Sequence, residues 1–490
     1  MLFASWQFGV FFAVVVSIYF SMPPRWRWAL LLGASYFFYM CSVPAYALLL
    51  LGSTVIDYVA ALRMAAAGSH RHKKMWLAVS LLANLGLLFS FKYYNFFAAS
   101  IESLGLWTGL GLHFPLSGLI LPVGISFYTF QTLSYSIDVY RGTLQPERHF
   151  GRYALYVSFF PQLVAGPIER AASLLPQFRR HHDFDAERVA SGLRQMTWGL
   201  FKKVVIADNL AVLANTAYND PQGLAGVHLA IATVFFAFQI YCDFSGYSDI
   251  AIGAARVLGF GLMTNFNQPY TARSVSEFWS RWHISLSTWF RDYVYIPLGG
   301  SRVSVQRWQI NLIIVFLVSG LWHGAKWTFV IWGALHACYM VASPATKPWR
   351  AQLARALRLD RVPRLQSVLQ RLAVFGLVCM AWVFFRANSV NDAFYILGRL
   401  PSGWDQLLQA GALSWICLPL RIAPTDLVFG FGLIALLLTA EAMFKVRGGH
   451  WGREIAVRFW PVRWAVYGLL LLSIINLGTP KPAPFIYFQF

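Results

Sequence analysis

Polar and ionisable side chains crowd into one stretch of an otherwise apolar chain, Asn265 to Gly324. It holds Asn265, Asn267, Gln268, Arg273, Glu277, Arg281, His283, Ser285, Ser287, Arg291 and Asp292, and it closes on SGLWHG, which carries His323. Charged groups at membrane depth cost roughly 2.5–3.5 kcal/mol each on insertion scales, so a membrane chain that gathers this many uses them for chemistry or transport. His323 ends an apolar run between Gly320 and Gly324, two residues that permit close backbone approach. A neutral imidazole there can take a proton from a hydroxyl and later return it. The same sequence also suits a core histidine satisfied by a backbone carbonyl. His283, beside serines, either joins that chemistry or hydrogen-bonds locally.

The remaining candidates divide less sharply. Arg281, Arg291 and Arg302 can hold the phosphates of an anionic carrier or simply mark topology. Asp243 and Asp249 orient the site or compensate arginines between helices, and Lys92 snorkels from the end of its span. His336 reads as structural, and His70, His72, His181 and His182, set among Arg and Lys, as solvated. Five scattered cysteines without a CxxC pair read as buried thiols, not as a disulfide or zinc site, and no metal is expected. Gly-rich phosphate loops, G-x-S-x-G and H-E-x-x-H are all absent from the sequence.

The elements that must position these residues are membrane helices. Of 490 residues, 58% are hydrophobic, 17% aromatic and only 12% charged, which excludes disorder and argues against a soluble enzyme. Apolar segments predict eleven to thirteen crossing or partly crossing helices, at 5–22, 27–42, 44–63, 75–99, 115–139, 151–168, 190–217, 226–254, 308–321, 327–345, 367–387, 427–445 and 463–480. The first is a retained helix and not a signal peptide, and 1–490 reads as a single membrane-embedded domain with its centre at about 120–390. Asp57, Asp138 and the run YCDFSGYSDI place further polar groups inside spans.

Prolines and glycines break the pattern at Phe159–Arg170, Asn265–Pro269 and Ile296–Gly300. Irregular backbone survives at membrane depth only where it lines a cavity or is covered by protein, so these three segments imply a central water-accessible hollow. Between the last two, Ser274 and Glu277 form a capping box that starts a helix. Phe278, Trp282, Leu286 and Trp289 continue it as one apolar stripe, with Glu277 and Arg281 as an i,i+4 pair and His283 near Ser280 and Ser287 on another face. Residues 387–425 form a longer connection without an assigned role.

The net charge of +20 follows membrane topology. Arg25 and Arg27, Arg63 to Lys74, Arg141 to Arg152, Arg170 to Lys203, Arg350–Arg371 and Lys445–Arg463 form the basic clusters, whereas Cys41–Pro44 and Ser100–Pro115 carry no Lys or Arg. The positive-inside rule puts the clusters in the cytosol and both termini outside it, and no nucleic-acid partner is needed.

Seven pieces of this chain, FYTFQTLSYSIDVYRG, FFPQLVAGPIER, YCDFSGYSDIAIG, NFNQPY, SEFWSRWHISLSTWFRDYVYIPLGG, SGLWHGAKWTFVIWG and WVFFRA, resemble in order the motifs of the membrane-bound O-acyltransferase (MBOAT) family. The nearest likeness is to its bacterial branch of alginate O-acetylation. The resemblance implies an all-α polytopic protein, a ring of helices around a central tunnel. Its two marked histidines fall on His323, as general base, and His283, which positions the donor or polarises its carbonyl. Asn267, Arg281, Ser287, Trp322, Asp243 and Tyr247, all within the matching motifs, are the expected substrate-binding residues. It further implies a thioester donor, acetyl-CoA or an acyl-carrier thioester, with no bound cofactor. The expected partners are a periplasmic SGNH-type O-acetyltransferase and the machinery of polysaccharide export and modification, in a bacterial inner membrane. The rivals are D-alanyl transfer toward teichoic acids, acylation of a lipid, and a transporter, for which the missing internal repeat is unfavourable.

Overall fold

The computed structural model describes residues 1, 3–164, 166–446, 460–479 and 484–486, with the side chains of 444–446 left aside. Most of the expected basic cluster Lys445–Arg463 lies outside these residues. Helix is the regular secondary structure among the described residues, and eight helices are long and apolar enough to cross a membrane. A ninth apolar helix, Trp6–Ser21, is shorter and starts where the Ser5 hydroxyl accepts from the Phe8 amide.

The chain forms two compact units. The first comprises Met1–Met196 and Tyr247–Met263, and the second Thr197–Gly246 and Thr264–Phe490.

In the first unit, helices Tyr46–Ala66, His70–Leu88 and Ile125–Arg141 pack together around buried Asp57. Several expected segments change length. The span predicted from residue 75 runs from His70 to Thr108, with a π-helical turn at Phe89–Tyr93. There Lys92 reaches the Ser126 hydroxyl at 3.3 Å and does not snorkel. The helix predicted over 115–139 begins only at Ile125, because 110–122, which contains Pro115 and Pro122, has no regular structure. Segment 151–168 breaks as its prolines and glycine require. Helix Phe150–Ser158 stops at Phe159, and a single turn, Phe160–Leu163, follows.

In the second unit, helices Val305–His323 and Trp327–Ala345 form a tight hairpin. Glycine makes it possible. A Cβ on Gly320 would stand 2.3 Å from the Phe329 carbonyl oxygen, and one on Gly333 would stand 2.3 Å from that of Phe316. Helix Pro363–Arg386 packs on the hairpin and brings in Trp382 and Phe385. Residues 387–425, unassigned from sequence, contain helices Val390–Arg399 and Ala412–Cys417. All five cysteines are free. Cys242 and Cys417 are buried, but Cys41, just past the end of helix Arg27–Met40, and Cys338, on the span Trp327–Ala345, are exposed and not the buried thiols expected.

Candidate active site

The stripe Phe278–Trp282–Leu286–Trp289 predicts one helix from Ser274 onward, and the structure corrects that. The Ser274 hydroxyl does cap Val275–Arg281, accepting from the Glu277 amide at 3.1 Å, and Glu277 Oε2 accepts from the Arg273 amide at 2.7 Å. The helix then stops. Trp282 is extended, His283 takes a left-handed conformation at φ 44°, ψ 55°, and a second helix, Ile284–Phe290, starts from it. Left-handed backbone in a residue other than glycine costs about 1–3 kcal/mol and persists only where the surroundings enforce it.

The irregular strip before the helix supplies the enforcement. The Asn267 amide donates to the Arg281 carbonyl and the Ile284 amide to the Asn265 carbonyl, each at 2.9 Å. These two bonds satisfy backbone groups that a continuous helix would have paired within itself. Helical periodicity cannot foresee them, because they join residues 14 and 19 positions apart.

The Asn265 side chain completes the clamp. Its Oδ1 accepts from the Ser285 amide at 3.3 Å and the Ser285 hydroxyl at 2.9 Å, and stands 3.1 Å from Nδ1 of His283. A backbone amide only donates, which fixes the oxygen of Asn265 on that side and makes Nδ1 of His283 a donor. In a neutral ring, Nε2 is then the acceptor nitrogen. His283 is fully buried and lies outside the spanning helices, and burial lowers its pKa to about 3, so the ring is neutral near pH 7.

His323 is the last residue of helix Val305–His323, followed by extended Gly324. Its ring meets Trp332 at 4.9 Å, Trp322 at 5.0 Å and Phe385 at 5.4 Å, all edge to face. Trp332 in turn stacks on Trp382. Gly324 is required beside it, because a Cβ there would lie 2.2 Å from the Phe329 ring. The rings of His283 and His323 approach to 6.5 Å, and Trp322 stands 5.9 Å from His283. Two imidazoles 40 residues apart in sequence are thus brought together among buried aromatic rings.

The other expected residues scatter. Trp322 is buried at the pair. Arg281 binds Glu277 at 2.5 Å and the Thr271 hydroxyl at 2.7 Å, half-buried behind the break. Ser287 donates to the Trp282 carbonyl, and Ser285, not Ser280 or Ser287, is the hydroxyl beside His283. The Asn267 side chain is exposed, and the asparagine at the imidazole is Asn265. Asp243 forms a buried ion pair at 2.6 Å, with Lys203 and not with an arginine, and accepts from the Ile486 amide at 2.8 Å. Lys203 also holds Asp208 at 2.8 Å, although charge topology counts this lysine among the cytosolic basic run. The residue after Asp243, Phe244, meets His283 edge to face at 4.6 Å, so the ion pair anchors the helix that walls the site. Tyr247 belongs to the first unit, where its ring stacks on Phe3. His336 is expected to be structural. It is fully buried, with Nδ1 accepting from the Trp279 indole at 3.3 Å.

Asn265, Ser285, Phe244 and Lys203 are the residues sequence reasoning missed as site components. The first two stand in the polar stretch, but nothing in an irregular segment tells which of its side chains points inward.

The model of the MBOAT, membrane-bound O-acyltransferase, family matches residues 148–375, which include both histidines. Similar proteins include a "Probable alginate O-acetylase" of Pseudomonas aeruginosa, 41% identical, and one of Azotobacter vinelandii, 35% identical, each aligned over 98% of both chains. A peptidoglycan O-acetyltransferase of Helicobacter pylori is 38% identical over 76% of this chain and 73% of its own.

Proposed function

The chain belongs to the membrane-bound O-acyltransferase family, and from that premise we propose that it moves acetyl groups from a cytosolic thioester toward O-acetylation of an exported polysaccharide such as alginate. It is a multi-pass membrane protein and an O-acyltransferase. The 6.5 Å approach of the His283 and His323 rings, buried among aromatic side chains, carries the assignment of the chemistry.

In this reading His323 is the general base. It removes the proton of an acceptor hydroxyl as that oxygen attacks the thioester carbonyl. The carbon–sulfur bond of the tetrahedral adduct then breaks, and the imidazolium returns its proton to the departing thiolate. Proton transfer of this type contributes typically 10²–10⁴ in rate. His283, held neutral with Nδ1 donating to Asn265, presents an acceptor nitrogen. That supports a role in positioning the donor by accepting a hydrogen bond, and disfavours polarising the carbonyl by donating one. Trp322, Trp332 and Phe385 keep water from the thioester, which otherwise hydrolyses.

The donor is acetyl-CoA or an acyl-carrier thioester, and the reaction needs no bound cofactor. The acceptor side is a periplasmic partner of SGNH type that passes acetyl to the polymer within its export and modification machinery. The protein sits in a bacterial inner membrane with both termini outside the cytosol. The names of the relatives support the link to polysaccharide O-acetylation, and the basic clusters of the sequence support the orientation.

Mass spectrometry of exported glycans from cells with and without this protein tests the proposal. Loss of acetyl esters, restored by the wild-type gene, is the expected result. Unchanged acetylation, or loss of D-alanyl esters from teichoic acids instead, overturns it. Comparing exopolysaccharide with peptidoglycan in the same cells identifies the polymer.

A further inference from the structure

In the first unit, helices Trp6–Ser21 and Arg27–Met40 are joined through Pro23 and Pro24. Beside that turn lies a cavity of about 200 Å³. Five arginines line it, Arg25, Arg27, Arg152, Arg179 and Arg180, together with His182, and none of its lining residues is acidic. Trp28, Leu31, Phe178 and Phe260 form the apolar part of the wall. The nearby carboxylates are already engaged. Glu147 binds Arg179 at 2.5 Å and Asp183 binds His181 at 2.7 Å, which leaves the arginines in excess.

The positive groups are held in place. Arg27 donates to the His182 carbonyl at 2.7 Å and to the Met22 carbonyl at 3.3 Å, and its guanidinium lies 4.9 Å from the Tyr19 ring centroid. His182 is half-buried with Nε2 2.9 Å from the Gln177 carbonyl, so it is not a solvated surface histidine. Its pKa is lowered, first by burial and then by Arg188, His181 and Arg180, as expected inside a field of like charge. Nε of Arg152 is buried and finds no acceptor among the described residues, a costly state for a charged group unless a ligand supplies one.

We infer that this cavity binds a phosphate group, as the headgroup of an anionic phospholipid or as free phosphate. Arginine forks match phosphate oxygens two at a time, and no carboxylate lines the cavity, although Glu147 already engages Arg179. Its volume is below the roughly 300–1,000 Å³ of sites for drug-sized ligands, so a headgroup or small anion fits and a whole nucleotide does not. The charge pattern puts this end of the helices in the cytosol, where anionic headgroups attract basic residues. The inference does not depend on the acyl-transfer reading.

Native mass spectrometry of the full-length protein, titrated in detergent with phosphatidylglycerol or phosphatidylcholine, tests it. Wild type and an exposed control, Arg63→Gln, should retain phosphatidylglycerol in preference. The double variant Arg152→Gln, Arg180→Gln should lose that retention at least tenfold. Should the double variant not purify as a single species, Arg180→Gln alone, at an exposed position, should lose about threefold. Inorganic phosphate in the same titration separates the sources. Thermal stabilisation by millimolar phosphate in wild type but not in the variant, without lipid preference, identifies free phosphate. Equal retention by wild type and variant, or no binding of either probe, overturns the inference.

Discussion

Asp57 and His283 are both buried in this apolar chain, and each is held by an asparagine and a serine. Asp57 takes 2.6 Å from the Ser80 hydroxyl and 2.8 and 2.9 Å from the Asn84 amide, while Thr132 donates to Asn84 and Ser136 lies 2.8 Å from Ser80. Every member of that group sits within a regular helix. Ser80 and Asn84 are one turn apart, as are Thr132 and Ser136. His283 instead sits at a helix break with positive φ, and its clamp joins an irregular strip to that break. A carboxylate satisfied from ordinary helical positions ties three helices together. An imidazole set on backbone that costs energy to maintain is the better candidate for chemistry. Backbone regularity therefore separates the Asp57 cluster from the His283 clamp, while His323 ends a regular helix.

The largest expected effect sharpens that comparison. In a double-mutant cycle of His283→Ala and His323→Ala, scored as acetyl ester per unit of membrane-inserted protein, groups acting as one unit are grossly non-additive. The double variant should be no more than about tenfold worse than His323→Ala alone, and multiplying losses would break the pairing. Asn265→Ala comes next. It removes the acceptor that orients His283, and at about 1.4 kcal/mol for such a hydrogen bond the loss should be roughly tenfold. The donors it leaves unsatisfied lower the amount of protein as well, so the loss is scored per folded protein, and wild-type activity on that scale would show that the clamp does not position the ring. Asp57→Ala should do the reverse. Buried donors left unsatisfied cost about 1–3 kcal/mol, so stability and amount fall while activity per folded protein stays within about twofold.

The smallest effect is in pH dependence. His283 titrates near 3 in the folded protein and near 6.5 when unfolded, so below pH 6.5 the unfolded chain binds the extra proton. Its contribution is therefore intact above pH 6.5 and declines as pH falls toward 3. Thermal unfolding in detergent should show a shallower acid decline for His283→Gln than for wild type. Identical declines would contradict a buried neutral ring.

The sequence makes the membrane class, most helices and both histidines legible, because hydropathy and the WHG and RWHIS pieces are local signals. The break at Trp282–His283 is hidden. The capping box and a stripe at four, four and three residues describe a continuous helix, and only bonds to residues 265 and 267 interrupt it. Asn265 was indistinguishable from Asn267 for the same reason, since side-chain direction in an irregular strip follows its tertiary bonds. Lys203 reads as a topology marker, because nothing local announces that Asp208 and Asp243 neutralise it in the interior.

Acetyl ester content of the exported glycan in cells carrying His323→Ala, measured by mass spectrometry at matched protein level, tests the central claim most directly. A loss of roughly 10²–10⁴ is expected for removal of the general base. Ester content within twofold of wild type would contradict it and leave His323 a core residue.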